Sequence, residues 1–283
     1  LTAAGQQQGK VGILAGGGHL PARLAARLTE QGRAVFIAAF EGHADPDLLA
    51  GFNHQWTRLG HAQQTIDLLK QQNVGEVILI GSVGRPSIKE LRGDARFMKL
   101  ILKAGMKAFR DDAALSIITA ELEGEGFVVR GVNDYLSDHL APAGQLGKRS
   151  PLAVSSRDID RGREVLNSLS ASDVGQAVVI QEGVVLGIEA IEGTDNLIQR
   201  CAALKRAGPG PVLVKLCKQN QSRRVDLPTI GPQTVEYSRL AGFAGIAVQA
   251  GGCMLVDRDV LIQRADAAGL FICGIDGMQN DSR

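Results

Sequence analysis

Short apolar runs alternate with segments of helical periodicity through the first half of the chain. Lys10–Ala15 (KVGILA) is apolar enough for a strand buried on both faces. Leu20–Gln31 repeats its apolar side chains at helical spacing and stops at Gly32, and Ala34–Phe40 is a second strand. Helical spacing returns around Thr65–Gln72, followed by a third strand at Glu76–Gly81 (EVILIG) and by helices over Ala95–Arg110 and Ala113–Glu123. Strands alternating with helices predict a parallel sheet wound with helices, so this half reads as a Rossmann-like layer.

The periodicity stops at Ala141–Pro151 (APAGQLGKRSP), where Pro, Gly and polar residues take over. That shift predicts a leader at 1–9, an N-terminal domain at 10–140, a linker at 141–152 and a C-terminal domain at 153–283. In the second domain a helix is expected at Asp158–Leu169, with Ser155 or Ser156 as N-cap. Strands are expected at Gln176–Ile180, Val184–Ile191, Val212–Cys217, Gly245–Val248, Cys253–Val256 and Leu270–Gly274. Helices at Asn196–Arg206, Gln233–Leu240 and Arg258–Ala268 complete it. The expected fold class is α/β: an N-terminal Rossmann-like parallel-sheet domain plus a C-terminal mixed-sheet α/β domain.

Composition narrows the function classes. With 31 Lys plus Arg against 30 Asp plus Glu, the net charge is +1, which gives no broad field for a phosphate backbone; 4% aromatic residues leave few stacking platforms. Nucleic acid is excluded as a partner. The cysteines Cys201, Cys217, Cys253 and Cys273 lie far apart with no C-x-x-C pair, as small buried hydrophobes would in a reduced compartment. The longest apolar runs are too short to span a bilayer, and Leu1–Gly9 lacks the regions of a signal peptide, so the expected location is cytoplasmic.

Several segments carry candidate chemistry. Gly16, Gly17 and Gly18 follow a strand and open a helix, where backbone N–H groups can approach a phosphate. A dinucleotide fingerprint wants another glycine where Pro21 stands, although Glu41 could mimic a ribose-binding acid. The alternative to a ligand site is a tight strand-to-helix turn. Gly81–Pro86 (GSVGRP) ends a strand and offers Arg85 to a phosphate, or to Asp94 or Glu90 as a salt bridge. Asp111 and Asp112 suit a helix cap better than a metal. The five histidines, His19, His43, His54, His61 and His139, show no ligand or triad spacing, and only His19 stands beside the glycine run.

The second half is denser. Glu189, Glu192 and Asp195 (EAIEGTD) are three acids at a strand end and helix mouth, able to hold a hard cation through oxygen; alternatively Thr194 or Asp195 caps the helix and Glu192 is solvated, which leaves Glu189 unexplained in an apolar strand. Lys215, Lys218, Arg223 and Arg224 precede Asp226 within a short stretch. Such a set suits a phosphate ester, with cations on the oxygens and an ionised carboxylate for water or metal, unless it is a basic surface loop. Gly231 and Pro232 then start a helix, with Thr234 in its first turn.

These segments together resemble the two-domain, metal-dependent UDP-2,3-diacylglucosamine pyrophosphatase family of lipid A biosynthesis. The resemblance covers nearly the whole chain after the leader. It rests on AGGGHLP (Ala15–Pro21), GSVGRP (Gly81–Pro86), LGKRSP (Leu146–Pro151), DVGQAVV (Asp173–Val179), EAIEGTD (Glu189–Asp195) and RVDLPTIG (Arg224–Gly231), in that order. It implies hydrolysis of UDP-2,3-diacylglucosamine to UMP and 2,3-diacylglucosamine 1-phosphate, with substrate held between the domains. It also implies Mg2+ or another divalent cation as cofactor. Asp226 matches the family's essential aspartate, positioning metal or the attacking water, with Glu189, Glu192 and Asp195 as its metal partners. Substrate contacts are expected at Gly16, Gly17, Gly18, Ser82, Arg85, Lys148, Thr194, Lys215, Arg224 and Thr229. The chain departs from the family in having Gln219 where Pro is frequent and Ser222 where an acid is frequent. Acyl chains on the substrate imply an apolar groove and a transient contact with the cytoplasmic face of the inner membrane; a homo-oligomer is compatible with the sequence. Two other classes stay open on the residues alone, an NAD-linked oxidoreductase and a non-catalytic nucleotide-sugar binding protein. UMP release separates all three.

Overall fold

The computed structural model describes residues 9–83, 93–104, 111–170, 174–218 and 227–277. Two compact units part at Ser137 and Asp138. The first holds strands β1 (Lys10–Ala15), β2 (Val35–Phe40), β3 (His54–Thr57), β4 (Val74–Ile80) and β5 (Val128–Arg130). Its helices are α1 (Leu20–Glu30), α2 (Pro46–Leu49), α3 (Ala62–Gln71), α4 (Ala95–Ala104) and α5 (Asp111–Gly124). All strand pairs are parallel, in the order β3-β2-β1-β4-β5.

The sequence expectation for this unit holds in class and needs two corrections. EVILIG forms the fourth strand, because HQWT at β3 was missed; it is an edge strand in which only Thr57 is buried, so it carries no apolar run. The other edge strand, β5, is three residues long and was also missed. Residues 105–110 of the expected 95–110 helix lie outside the described residues, as do the side chains of Asp111 and Asp112. The core is built from the inner strands, with Phe36, Ala38, Val77 and Leu79 packed against Ile66 and Leu69 of α3 and Leu122 of α5.

Strand order reverses between β1 and β4, which is where open α/β sheets form a ligand crevice at the carboxyl ends. Here the chain makes a close backbone crossing. Gly16 N–H donates to Ile80 O at 2.9 Å, Gly17 N–H to Ser82 O at 2.7 Å, and Ser82 N–H to Gly17 O at 3.0 Å. A Cβ on Gly81 would sit 2.7 Å from the Gly16 carbonyl carbon and 2.8 Å from the Gly17 oxygen, and Gly81 has φ +98.

The second unit holds β6 (Gly144–Gln145), α6 (Ala153–Leu169), β7 (Ala177–Gln181), β8 (Val184–Ile188), α7 (Gly193–Ala202) and β9 (Val212–Lys215). It continues with β10 (Thr229–Ile230), α8 (Pro232–Leu240), β11 (Gly245–Gln249), β12 (Met254–Leu255), α9 (Arg258–Ala268) and β13 (Phe271–Ile275). A mixed six-stranded sheet runs β6-β13-β11-β9-β7-β8, with β10 and β12 paired separately. Strand alternation sorts its side chains to two faces. Leu213, Ile246 and Val248 meet Leu197, Val235 and Leu261 of α7, α8 and α9, whereas Val212, Val214 and Ala247 meet Ile159 and Leu166 of α6. Both faces are covered, so the inner strands read as unbroken apolar runs.

The expected linker is built into this unit. Ala141 is buried and donates its N–H to Cys253 O at 2.8 Å, β6 pairs with β13, and Leu146 N–H reaches Ile272 O at 2.9 Å. A Pro- and Gly-rich composition marks irregular backbone, and here that backbone is tied to a sheet edge. Ser155 and Ser156 are likewise inside α6, whose N-cap is Leu152; Ser156 Oγ donates back to the Leu152 carbonyl at 3.3 Å.

Alanine substitution should separate conformational cost from crowding. Gly32 has φ +75 with open space around its missing Cβ. Gly32→Ala is expected to cost about 1 kcal/mol in denaturant unfolding. Gly81→Ala should cost about 3 kcal/mol because a collision with backbone adds to the same strain. Equal losses at the two positions would show that the crossing of β1 and β4 is not tight.

Candidate functional site

Strand direction concentrates polar side chains at one end of the second sheet. β7 runs antiparallel to β8 and β9, so β8 and β9 finish at the same end, where β11 also finishes. Glu189 follows β8, Lys215 closes β9 and Gln249 closes β11, and all three are buried. By alternation Lys215 shares the face of Leu213, the side covered by α7, α8 and α9.

Thr194, in the first turn of α7, joins the two charges. Lys215 Nζ donates to Thr194 Oγ1 at 2.5 Å, and Thr194 Oγ1 donates to Glu189 Oε1 at 2.5 Å. The other carboxylate oxygen, Glu189 Oε2, accepts from Gln176 N–H at 3.1 Å. Lys215 Nζ and Glu189 Oε1 are 4.0 Å apart, with side chains 6% and 8% exposed. Glu189 was the acid that a solvated-loop reading left unexplained. The structure accounts for it as a buried carboxylate whose oxygens are both hydrogen-bonded and whose charge faces an ammonium. Gly175 makes this possible, since a Cβ there would lie 2.0 Å from the Glu189 carbonyl oxygen.

A second link ties α7 to α8. Thr234 Oγ1, in the first turn of α8, donates to Asp195 Oδ1 at 3.1 Å. The amino ends of both helices therefore meet beside Lys215 and Glu189, and their dipoles add positive potential there. Glu192 belongs elsewhere. It takes Arg200 Nη2 at 2.6 Å and Ala190 N–H at 3.2 Å. Hydrogen bonds from its own backbone N–H and from Arg200 hold its carboxyl below the usual carboxylate range.

The three acids expected to share a cation thus answer to three different donors, and among the described residues no three His, Cys, Asp or Glu side chains converge to hold a metal. Thr194 was expected to touch substrate; its hydroxyl proton is already engaged by Glu189. Thr229 Oγ1 donates locally to Leu227 O at 3.1 Å. Lys148 is exposed, and its backbone N–H donates to Asp266 Oδ1 at 2.6 Å beside the amino end of β13, the opposite end of the sheet from Lys215. Arg85, Arg224 and Asp226 lie outside the described residues.

In the first unit the backbone donors of Gly16 and Gly17 are engaged across the β1–β4 crossing, which leaves exposed Gly18 and Ser82 as the accessible part of that crevice. Glu41 pairs with Arg58 at 2.7 Å. The cysteines are free and buried, as expected. Burial pushes the Cys253 thiol up to about 12, against the pull of the Lys215 charge, and Cys273 up to about 11.

Sequence reasoning missed Gln249 and the Asp195–Thr234 link. Gln249 Oε1 accepts from Cys217 N–H at 2.8 Å, and Cys217 Sγ donates to Gly252 O at 2.8 Å. The available signal was a polar residue ending an apolar strand, as at Lys215. The Asp195–Thr234 link spans 39 positions and had no sequence signal.

A double-mutant cycle tests the buried pair. Glu189→Ala should cost about 3–5 kcal/mol because it leaves an uncompensated ammonium. Glu189→Ala combined with Lys215→Met should cost clearly less than the sum of the single changes in urea unfolding. Additive losses would show that the two charges do not interact.

Comparison with known proteins matches the two parts of the chain to two domain families. Residues 10–139 match the LpxI N-terminal domain family and residues 142–273 the LpxI C-terminal domain family. A Caulobacter vibrioides protein described as UDP-2,3-diacylglucosamine pyrophosphatase LpxI is 37% identical over 274 residues, spanning 94% of this chain and 98% of its own. A solved CobK precorrin-6A reductase aligns over 97% of this chain and 90% of its own at 12% identity, with a TM-score of 0.32, a superposition too loose to bear on function. With both domains matched in order and a relative similar along nearly its full length, the chain belongs to the LpxI family.

Proposed function

We propose that this protein hydrolyses the pyrophosphate of UDP-2,3-diacylglucosamine, giving UMP and 2,3-diacylglucosamine 1-phosphate in lipid A biosynthesis. The observation that carries this reading is the near-full-length similarity to the Caulobacter vibrioides pyrophosphatase. In the reaction, a water oxygen bonds to one phosphorus and the bridging P–O bond to that phosphorus breaks. The bridging oxygen leaves on the other phosphate, and the water's proton is released. Such a step needs positive potential on the phosphate oxygens and an aimed water.

The polar end of the second sheet holds donors of the kind this step needs, although the Glu189 and Asp195 carboxylates offset much of their charge. Lys215 and the paired amino ends of α7 and α8 supply positive potential, while Glu189 and Thr194 hold the ammonium in place. We assign Asp226 to aim the water or hold a cation, and Arg224, Arg85 and the Gly18–Ser82 crevice to contact phosphate or nucleotide. The dinucleotide alternative is disfavoured, because the Gly16 and Gly17 N–H groups are engaged by protein and Glu41 is held by Arg58.

A divalent cation, Mg2+ or a similar ion, is part of the proposal. Glu189, Glu192 and Asp195 do not fit as its cage. Magnesium commonly binds through one or two carboxylates, substrate phosphates and water, which leaves Asp226 as the protein ligand we favour. Among the described residues no helix is long and apolar enough to cross a membrane, so we propose that acylated substrate is met by surface contact with the cytoplasmic face of the inner membrane.

The purified protein should release UMP from UDP-2,3-diacylglucosamine with added Mg2+ and stop on chelation. In oxygen-labelled water one of the two products should carry the label. Asp226→Ala should lose activity by at least about 100-fold while keeping its unfolding midpoint. Label in neither product would end the hydrolase reading, and a fully active Asp226→Ala protein would remove that residue from the mechanism.

A further inference from the structure

Helix α4 has the sequence ARFMKLILKA, with five large apolar residues, three cations and no acid. No side chain from 95 to 102 is fully buried. One face is fastened to the unit: Arg96 donates to Glu121, Glu125 and Gln63, and Phe97, Leu100 and Ile101 on the same side are half-buried. Asp94 caps both neighbouring helices, accepting from Gln63 N–H at 2.7 Å and Phe97 N–H at 2.8 Å.

The opposite face is Ala95, Met98, Lys99 and Leu102, which helical spacing places in one stripe. All four are exposed; Leu102 is 77% and Met98 44% accessible, one turn apart, with Lys99 between them. The Arg96 charge is met by Glu121 and Glu125, and Asp94 has its oxygens on backbone donors, whereas Lys99 makes no ion pair among the described residues. The stripe is therefore apolar and cationic.

Its size and charge choose among occupants. A specific protein interface needs about 800 Å² per partner, far more than two side chains on one turn provide. Pairing of two copies about this stripe would also set Lys99 against Lys99. A lipid surface has neither problem, because isolated apolar side chains enter the boundary between headgroups and acyl chains while lysine stays with anionic headgroups. We infer that the Met98–Lys99–Leu102 stripe of α4 seats the protein on an anionic bilayer. The inference deepens the proposed function by assigning a surface for the approach to a diacylated substrate, and it rests on that reading.

The test uses the full chain with phosphatidylcholine vesicles, with and without phosphatidylglycerol. Wild type should sediment with the anionic vesicles and be released by salt. Met98→Glu with Leu102→Glu should lower partitioning by about tenfold or more, and Lys99→Glu should weaken it on anionic vesicles only. On substrate in non-ionic detergent micelles both variants should keep wild-type kcat and KM, while turnover of vesicle-embedded substrate falls with binding. Should the glutamates prevent folding, Met98→Gln with Leu102→Gln is expected to show the same direction of change. Undiminished vesicle binding by these variants overturns the assignment, as does failure of wild type to bind anionic vesicles. A wild-type dimer that becomes monomeric in Met98→Glu with Leu102→Glu would give the stripe to a second copy instead. Absence of UMP from micellar substrate would sink the proposed function, and leaves vesicle binding to be judged separately.

Discussion

Lys215 and Glu189 are buried charges at the same end of β9 and β8, the two strands that flank β7, and much of the second unit's local architecture keeps them compatible with the apolar sheet beneath. Neither could be left alone there, since an unpaired buried charge costs several kcal/mol even after relaxation, on the order of 3–5 when a pair is broken. Compensation comes from three elements at once: Thr194 from α7, the Gln176 backbone from the start of β7, and the opposing charge itself. Gly175 must lack a side chain because Glu189 passes against its backbone. The DVGQAVV and EAIEGTD segments thus meet as two halves of one polar junction.

The same logic explains why α7 and α8 begin where they do. A carboxylate in the first turn of α7 complements that helix's positive end, and Thr234 connects it to the first turn of α8. The resulting junction has two helix amino ends, one ammonium and two carboxylates, each carboxylate already hydrogen-bonded. The two helix ends together carry roughly one positive charge, so with the ammonium they balance the two carboxylates, and the junction is rigid and close to neutral. A loose cluster of acids would have behaved differently. It would have required a cation simply to exist, and the described geometry shows no such cluster.

Sequence periodicity gave the fold class because both sheets are covered by helices, and inner strands such as VLVK and GIAVQ are continuous apolar runs. It failed at β3 and β5, edge strands that bury too little to show a pattern. Glycine and proline misled the division of the chain. Ala141–Leu146 has a turn-like composition, yet its backbone is hydrogen-bonded to Cys253 and Ile272 in the second unit. In the site, sequence singled out Glu189 as an acid unexplained in an apolar strand, Asp195 at a helix mouth and Lys215 among four cations near Asp226, but it joined the three acids because they are close in sequence. Side-chain direction separates them: Glu192 turns to Arg200, Asp195 to Thr234 and Glu189 to Thr194.

The two glycine-dependent crossings suggest a common use of close backbone approach in this protein. In the first unit Gly16, Gly17 and Gly81 allow two strand ends to hydrogen-bond across the switch point, so Gly16, Gly17 and Ser82 are tied together by main chain. In the second, Gly175 lets the backbone at Glu189 come close enough to place a buried carboxylate. Each crossing fixes a strand end through close main-chain approach. That is a demanding arrangement to keep in sequence, because alanine already collides, and its benefit is a pair of preorganised strand ends. The polar junction uses this rigidity directly: an ammonium held by Thr194 and Glu189 has already lost its rotamer freedom, so less entropy would remain to be lost to any group that met it.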